Sequence, residues 1–87
     1  MRRTMAARAV ARALLADPDS RHWGYSLAQQ SDIPSGVLYP ILARMEAEKW
    51  LASDWDNPDD TGPRRRYYRL TDTGRTELAG FVEGVQR

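Results

Sequence analysis

An α+β fold, mostly helical and arranged as a winged helix-turn-helix, is what this 87-residue chain predicts, and three observations carry it. Helical periodicity recurs in three blocks before residue 50. Two short alternating segments, Trp50 to Trp55 and Arg65 to Leu70, then flank a loop of turn residues. A last apolar stripe resumes after Leu70. Three helices, a two-stranded β-wing and a short C-terminal helix follow in that order. The length suits one domain, residues 1–87, around a single core.

The first helix is expected at about 3–16, where Ala6, Ala7, Val10, Ala11, Leu14 and Leu15 form one stripe that Asp17-Pro18-Asp19 ends. The second, at about 25–31, is two turns long with Leu27 and Ala28 as its apolar part. Ser31-Asp32-Ile33-Pro34 ends it, because the residue before a proline is pushed out of helical geometry. In the third, at about 35–49, Leu38, Ile41, Leu42 and Met45 gather on one side. Gly36, Pro40, Ala43 and Ala47 lie opposite, with Tyr39 and Arg44 on the flanks. Ser35 is the expected N-cap, and Pro40 falls close enough to the N-terminus that its missing amide does limited damage.

The wing strands are expected at about 50–55 and 65–70, joined by Asn57-Pro58-Asp59-Asp60-Thr61-Gly62-Pro63. A period of two puts Arg64, Arg66, Tyr68 and Leu70 on one face and Arg65, Tyr67 and Arg69 on the other. Leu70 and Tyr68 then point to the core, and the arginines nearest the loop lie beyond it at the tip. A C-terminal helix at about 72–86 carries Leu78, Phe81, Val82 and Val85. The first and last helices can cover each other within one chain or across a two-fold axis.

Composition narrows the function by exclusion. With no cysteine and one histidine, there is neither a disulfide framework nor a thiolate or imidazole cluster for a metal, and no cofactor site is expected. No paired carboxylates, activated nucleophile or phosphate loop stand out, so the chain reads as a non-enzyme and His22 as a loop residue. No apolar run approaches the roughly 20 residues of a membrane span, nor is there a hydrophobic signal core, so a soluble cytoplasmic protein is expected. Net charge is only +1, but twelve of the thirteen cationic residues are arginine. Planar guanidinium forks suit phosphate recognition; a GC-rich genome gives the same bias.

Distribution says more than the total. Arg2, Arg3, Arg8 and Arg12 fall in the first helix, Arg64, Arg65, Arg66 and Arg69 around the second wing strand, and Asp54, Asp56, Asp59 and Asp60 between the strands. A helix face of small residues lets its backbone approach another surface closely, where Tyr39 and Arg44 would bond phosphates or base edges. The same alanines also serve simply as good helix formers. Arg64, Arg65 and Arg66 can follow a phosphate backbone or neutralise the neighbouring aspartates. Ser35 leaves first-turn amides where a phosphate could dock, or is a plain cap. Trp23, Trp50 and Trp55 are open between core or rim packing and an apolar ligand site. The competing reading is a protein-interaction module that docks a partner through its wing or last helix. A DNA reader needs the arginine cluster and the small-residue face on one surface.

Gly24-Tyr25, then Ser35-Gly36-Val37-Leu38-Tyr39-Pro40-Ile41-Leu42 with Arg44-Met45-Glu46, then Gly62-Pro63-Arg64-Arg65-Arg66-Tyr67-Tyr68-Arg69-Leu70-Thr71 and Gly74-Arg75, together resemble the PadR family of transcriptional regulators. The resemblance runs from about Trp23 to Leu78. Leu-Thr-x-x-Gly is common to many winged helices, whereas a Leu-Tyr-Pro helix followed at this distance by Arg-Tyr-Tyr-Arg-Leu-Thr is specific. It implies a dimeric, cytoplasmic bacterial repressor with its third helix in the major groove and its wing over the backbone of a palindromic operator. Ser35, Gly36, Tyr39 and Arg44 would then belong to the recognition helix and Arg64, Arg65 and Arg66 to the wing. The implied partners are double-stranded DNA, a second copy docked through the first and last helices, and, as in some relatives, a small aromatic effector near the dimer interface. Two departures stand out. Lys49 occupies a position where the family usually has glycine, and the sequence stops at Arg87 where the family normally continues into a longer dimerisation helix.

Overall fold

The computed structural model describes residues 2–55 and 65–83. The elements are α1 (Met5–Leu15), β1 (His22–Trp23), α2 (Gly24–Ser31), α3 (Ser35–Ala47), β2 (Leu51–Trp55), β3 (Arg66–Leu70) and α4 (Asp72–Glu83). This is the mostly helical α+β winged helix that the periodicities predict, with one strand more than expected. The sheet has three antiparallel strands in the order β1-β3-β2. In place of a loop, His22 and Trp23 pair with Tyr68 and Tyr67. Two residues are too few to show alternation, so β1 left no mark in the sequence pattern. His22 itself is buried, with Nε2 2.9 Å from the Asp17 carbonyl oxygen.

The four helices and strands β2 and β3 contribute to one core. Val10 and Leu14 come from α1, Leu27 from α2, Leu38, Leu42 and Met45 from α3, Leu51, Tyr68 and Leu70 from the sheet, and Leu78 and Phe81 from α4. β2 pairs with β3 in a register that sets Leu51 opposite Leu70, Ser53 opposite Tyr68 and Trp55 opposite Arg66. Opposed residues share a sheet face, so the inward face runs from an apolar end at Leu51 and Leu70 to a polar end at Trp55 and Arg66. The loop residues Asn57 to Pro63, together with Asp56, Arg64 and Val85, lie outside the described residues.

Capping sets the helix ends. α1 starts after Thr4, whose Oγ1 accepts a hydrogen bond from the Ala7 amide at 3.0 Å. Ser35 is not the N-cap of α3. Pro34 is, without a side-chain cap, and Ser35 is the first helical residue. Pro34 holds extended geometry at φ −60° and ψ 149°, so its carbonyl accepts from the Leu38 amide at 2.8 Å and the turn closes without a hydroxyl. Pro40 is tolerated inside α3, where the bond it cannot donate would go to Gly36 on the exposed face and water can take its place.

At the other end of α3, Lys49 has φ +69°, the left-handed conformation that glycine adopts without penalty. Its amide donates to the Glu46 carbonyl at 3.0 Å and the Trp50 amide to the Met45 carbonyl at 3.0 Å, the paired bonds of a Schellman motif. The turn delivers Trp50 to a corner shared with α4. There Thr71 donates its amide to the Trp50 carbonyl at 3.1 Å and its hydroxyl to the Lys49 carbonyl at 2.6 Å. Thr71 Oγ1 also accepts from the Gly74 amide at 2.9 Å and so caps α4. A Cβ on Gly74 would lie only 2.0 Å from the Trp50 carbonyl oxygen, so this backbone contact requires glycine. The Leu-Thr-x-x-Gly sequence is therefore a joint between the α3–β2 corner and α4.

α4 packs on α1 within the same chain. Phe81 meets Trp50 edge to face with centroids 5.9 Å apart, Arg3 lies over the Phe81 ring, and Arg8 Nη2 donates to the Val82 carbonyl at 3.3 Å. The apolar stripes of the first and last helices thus cover each other inside one subunit.

Chemical denaturation checks the two special backbone positions. Lys49→Gly should stabilise the protein by about 1 kcal/mol, since it removes the left-handed penalty at a site with no other demand on the side chain. Gly74→Ala should cost roughly 1–3 kcal/mol or more. Gly80→Ala, with nothing within 4 Å of the added Cβ, should instead gain about 0.5–1 kcal/mol.

Candidate nucleic-acid interface

The outward face of α3 is exposed along Gly36, Pro40, Ala43 and Ala47, and no atom comes within 4 Å of a Cβ placed on Gly36. Ser35 is exposed at the start of this face, and Val37 adds an exposed apolar side chain. Tyr39 stands on its flank, 45% exposed, with its ring laid over the start of α2. A Cβ on Gly24 would meet the Tyr39 hydroxyl oxygen at 2.3 Å. Gly24 therefore does more than open α2: its bare backbone is the floor on which Tyr39 rests.

Tyr39 and the wing meet in one cleft. About 770 Å³ of space lies between α2, α3 and the end of the hairpin, lined by Trp23, Tyr25, Tyr39, Trp55, Arg65 and Arg66 among others. Tyr25, Tyr39 and Trp55 are among the most exposed large hydrophobic side chains described. Gln29 donates to the Tyr25 hydroxyl at 3.0 Å, one turn along α2. Of the three tryptophans, Trp23 and Trp55 line this cleft, while Trp50 packs on Phe81 and is not among its lining residues. The three do not form a common apolar site.

The wing arginines differ from one another. Arg65 is exposed immediately before β3. Arg66, expected to reach beyond the core at the tip, is tied back to α3. Its Nη2 lies 3.0 and 3.3 Å from the two Glu46 carboxylate oxygens, and its Nε and Nη2 donate to Ser53 Oγ at 3.1 and 2.8 Å. The guanidinium also lies over the rings of Trp55 and Tyr68, at 5.6 and 5.7 Å from their centroids. Among the described residues its carboxylate partner is Glu46, on the third helix; Asp56, Asp59 and Asp60 lie outside the described residues. Arg64 lies outside the described residues.

Arg44 is on the other flank of α3, 3.6 Å from Glu48 one turn on, and largely exposed. It lines a second groove with Arg2, Thr4, Pro40 and Ile41, away from the wing. The candidate residues therefore fall into two groups, Tyr39 with Arg65 and Arg66 at the aromatic cleft, and Arg44 with Arg2 at the α1–α3 groove. Sequence reasoning passed over Glu46 and Ser53. A signal existed, because Glu46 follows Leu38 and Leu42 at helical spacing and sits at the edge of the core stripe, where a carboxylate needs a partner. It also passed over Arg21, which covers the Trp23 and Tyr67 rings from the outer sheet face at 5.8 and 5.0 Å.

Burial pushes the Tyr68 phenol above its ordinary value; Arg66 opposes the shift, and Tyr39 and Glu46 reinforce it. This raised value makes stability depend on alkaline pH. The unfolded phenol releases its proton first, near pH 10, so stability present below that pH is lost as pH rises toward the higher folded value.

A winged helix that carries an exposed helix face of small residues and brings an exposed tyrosine and hairpin arginines to one cleft belongs to the DNA-binding class of small regulators. The chain matches the model of the transcriptional regulator PadR-like family over residues 19–80, and it belongs to that family. Among solved structures, a PadR family transcriptional regulator from Eggerthella lenta DSM 2243 is 34% identical, with 85% of this chain and 68% of that one covered and a TM-score of 0.68. A PadR family transcription regulator from Clostridium difficile R20291 is 28% identical over 80% of this chain and 79% of its own, with a TM-score of 0.66. A PadR-like transcription factor from Bacteroides fragilis is 25% identical over 97% of this chain and 82% of its own, with a TM-score of 0.75. The comparison with curated proteins finds no match. Family membership makes the chain a DNA-binding transcription regulator. Among the described residues, no helix is long and apolar enough to cross a membrane.

Melting curves between pH 8 and 11 check the Tyr68 assignment. Wild type should lose stability above about pH 10, and Tyr68→Phe, which has no phenol to titrate, should lose measurably less over the same interval.

Proposed function

We propose that this regulator is a repressor that reads a palindromic operator as a dimer, with α3 in the major groove and the wing along the phosphate backbone. The observation that carries the proposal is the convergence of Tyr39, from α3, with Arg65 and Arg66, from the hairpin, on one cleft beside the exposed small-residue face of α3. Close approach of that face lets Tyr39 reach a phosphate or base edge, and Arg65, with Arg64 just before it, supplies cations to the flanking backbone. Ser35 and Gly36 enter the groove first. Arg44, with Arg2 on the far flank, meets phosphates on the opposite side of the helix. Such a protein works in the cytoplasm, where the operator is.

Because the stripes of α1 and α4 cover each other in one chain, the proposed dimer uses the remaining faces of these helices. Its two recognition helices would then read half-sites about 10 base pairs, one helical turn, apart. A flat aromatic effector would act most directly in the cleft between Trp23, Tyr39 and Trp55, because it would displace Tyr39 from the DNA side.

Fluorescence anisotropy with a labelled duplex from upstream of the protein's own gene, against a scrambled duplex, tests the reading. Selective binding that survives near-physiological salt is expected; equal, weak binding to both that vanishes with salt would overturn it. Arg65→Ala should weaken binding to both duplexes and lower the salt slope by about 1, whereas Tyr39→Ala should reduce the preference between them. Gly24→Ala should mimic the tyrosine variant with little loss of stability, because the atoms its Cβ meets belong to the end of one side chain.

A further inference from the structure

We infer that Glu46 and Ser53 hold Arg66 as a strut between the recognition helix and the wing, so that Arg66 positions the interface and does not itself grip DNA. The inference rests on the DNA-reading function proposed above and assigns a different task to one of its arginines.

The geometry is that of a closed three-residue network. Glu46 is in the last turn of α3, Ser53 is midway along β2, and Arg66 opens β3. The Ser53 hydroxyl donates to Glu46 Oε2 at 2.5 Å and accepts from Arg66 Nε and Nη2 at 3.1 and 2.8 Å. One hydrogen and two lone pairs are a hydroxyl's whole capacity, so Ser53 is saturated. Arg66 Nη2 completes the ring by donating to Glu46 at 3.0 and 3.3 Å. Trp55, opposite Arg66, and Tyr68, two residues further along β3, present their rings to the guanidinium. An arginine held by α3, by β2 and by two rings cannot reach outward to a phosphate without breaking most of these contacts.

Stability alone is a poor reason for such a network. The Arg66 and Glu46 side chains are 42% and 32% exposed, and partly solvated pairs of this kind contribute little to folding. What the network does fix is the angle between α3 and the free end of the hairpin, since the Lys49–Trp50 corner holds only the opposite end. Orientation matters in a groove reader because base edges and phosphates must be met together.

Opposite signs separate a strut from a phosphate ligand. Glu46 places a negative charge close to the proposed DNA face, so if Arg66 were a DNA ligand, Glu46→Gln would release it and tighten binding. For a strut, Glu46→Gln should loosen binding about fivefold despite the lost negative charge, and Arg66→Gln should do the same. The double variant should be no weaker than either single one, because one unit is lost once. The salt slope of Arg66→Gln should equal that of wild type, in contrast to Arg65→Ala. Arg66→Lys should fail to rescue, since an ammonium cannot serve Glu46 and Ser53 through a planar fork.

Anisotropy on the same duplexes across a salt series reads all of these. Tighter binding by Glu46→Gln, or a slope reduced by about 1 in Arg66→Gln, would overturn the strut. Hydrogen exchange on the free protein supplies an arm that needs no DNA. The β2 and β3 amides near Ser53 and Tyr67 should exchange several-fold faster in Glu46→Gln at matched global stability. Unchanged exchange there would overturn the strut as well. If wild type binds no duplex at any salt, the DNA reading itself fails, and the exchange result alone decides whether the strut exists.

Discussion

The carbonyl of Trp50 is the point on which the rest of the structure turns. It accepts the Thr71 amide and lies against the bare Cα of Gly74, so the end of α3, the start of β2, the end of β3 and the start of α4 all meet within a few bonds of it. Lys49 brings Trp50 there by taking a left-handed conformation that disfavours any residue with a Cβ. The surrounding bonds oblige it to do so, because the Schellman pair and the Thr71 hydroxyl satisfy carbonyls that would otherwise end the helix without partners. With this corner closed, the hairpin leaves the core in one direction only, and the side of α3 facing it is settled.

Arginine content overstates the positive field this domain can offer. Arg66 is on Glu46, Arg44 near Glu48, and Arg75 on Asp19. Arg3 and Arg21 lie over aromatic rings, and Arg8 reaches the carbonyl of Val82 at the end of α4. Affinity for a polyanion depends on cations that can exchange condensed counterions for themselves, and a guanidinium already on a carboxylate must first give up that partner. A net charge of +1 is consistent with this economy: the basic character needed for DNA is local, and much of the remaining arginine is structural.

Much of the fold was legible because its signals are periodic. The stripe Leu38, Ile41, Leu42 and Met45 and the alternation Tyr68, Leu70 are long enough to name the buried faces, and the structure buries all of them but Ile41, which is half-buried against the core. β1 was not legible, since two residues carry no period and its existence depends on β3 offering a free edge at Tyr67 and Tyr68. Ser35 misled for a related reason. A serine before an apolar run is a good cap in isolation, but the preceding Pro34 already holds the extended geometry an N-cap requires, which moves the boundary by one residue. At the interface, residue types and helix faces could be read, whereas partners could not. Alternation along the strand separates Arg65 from Arg66 by face; what it does not show is that strand register brings Ser53, and with it Glu46, to the face of Arg66.

The proposed recognition surface is a joint product of three elements and not a property of α3. Tyr39 has its position because Gly24 leaves room for its ring, and Gly24 is where it is because β1 pairs with β3 immediately before α2 begins. The hairpin therefore acts on the helix in two ways, directly through Arg66 and Glu46 and indirectly through β1 and the start of α2. A shift of the wing would be felt at Tyr39 from both sides, across a cleft and through a backbone. In the proposed mode of DNA reading, that coupling would make groove reading and backbone contact depend on each other, so that neither helix nor wing would engage DNA correctly unless the other were in place.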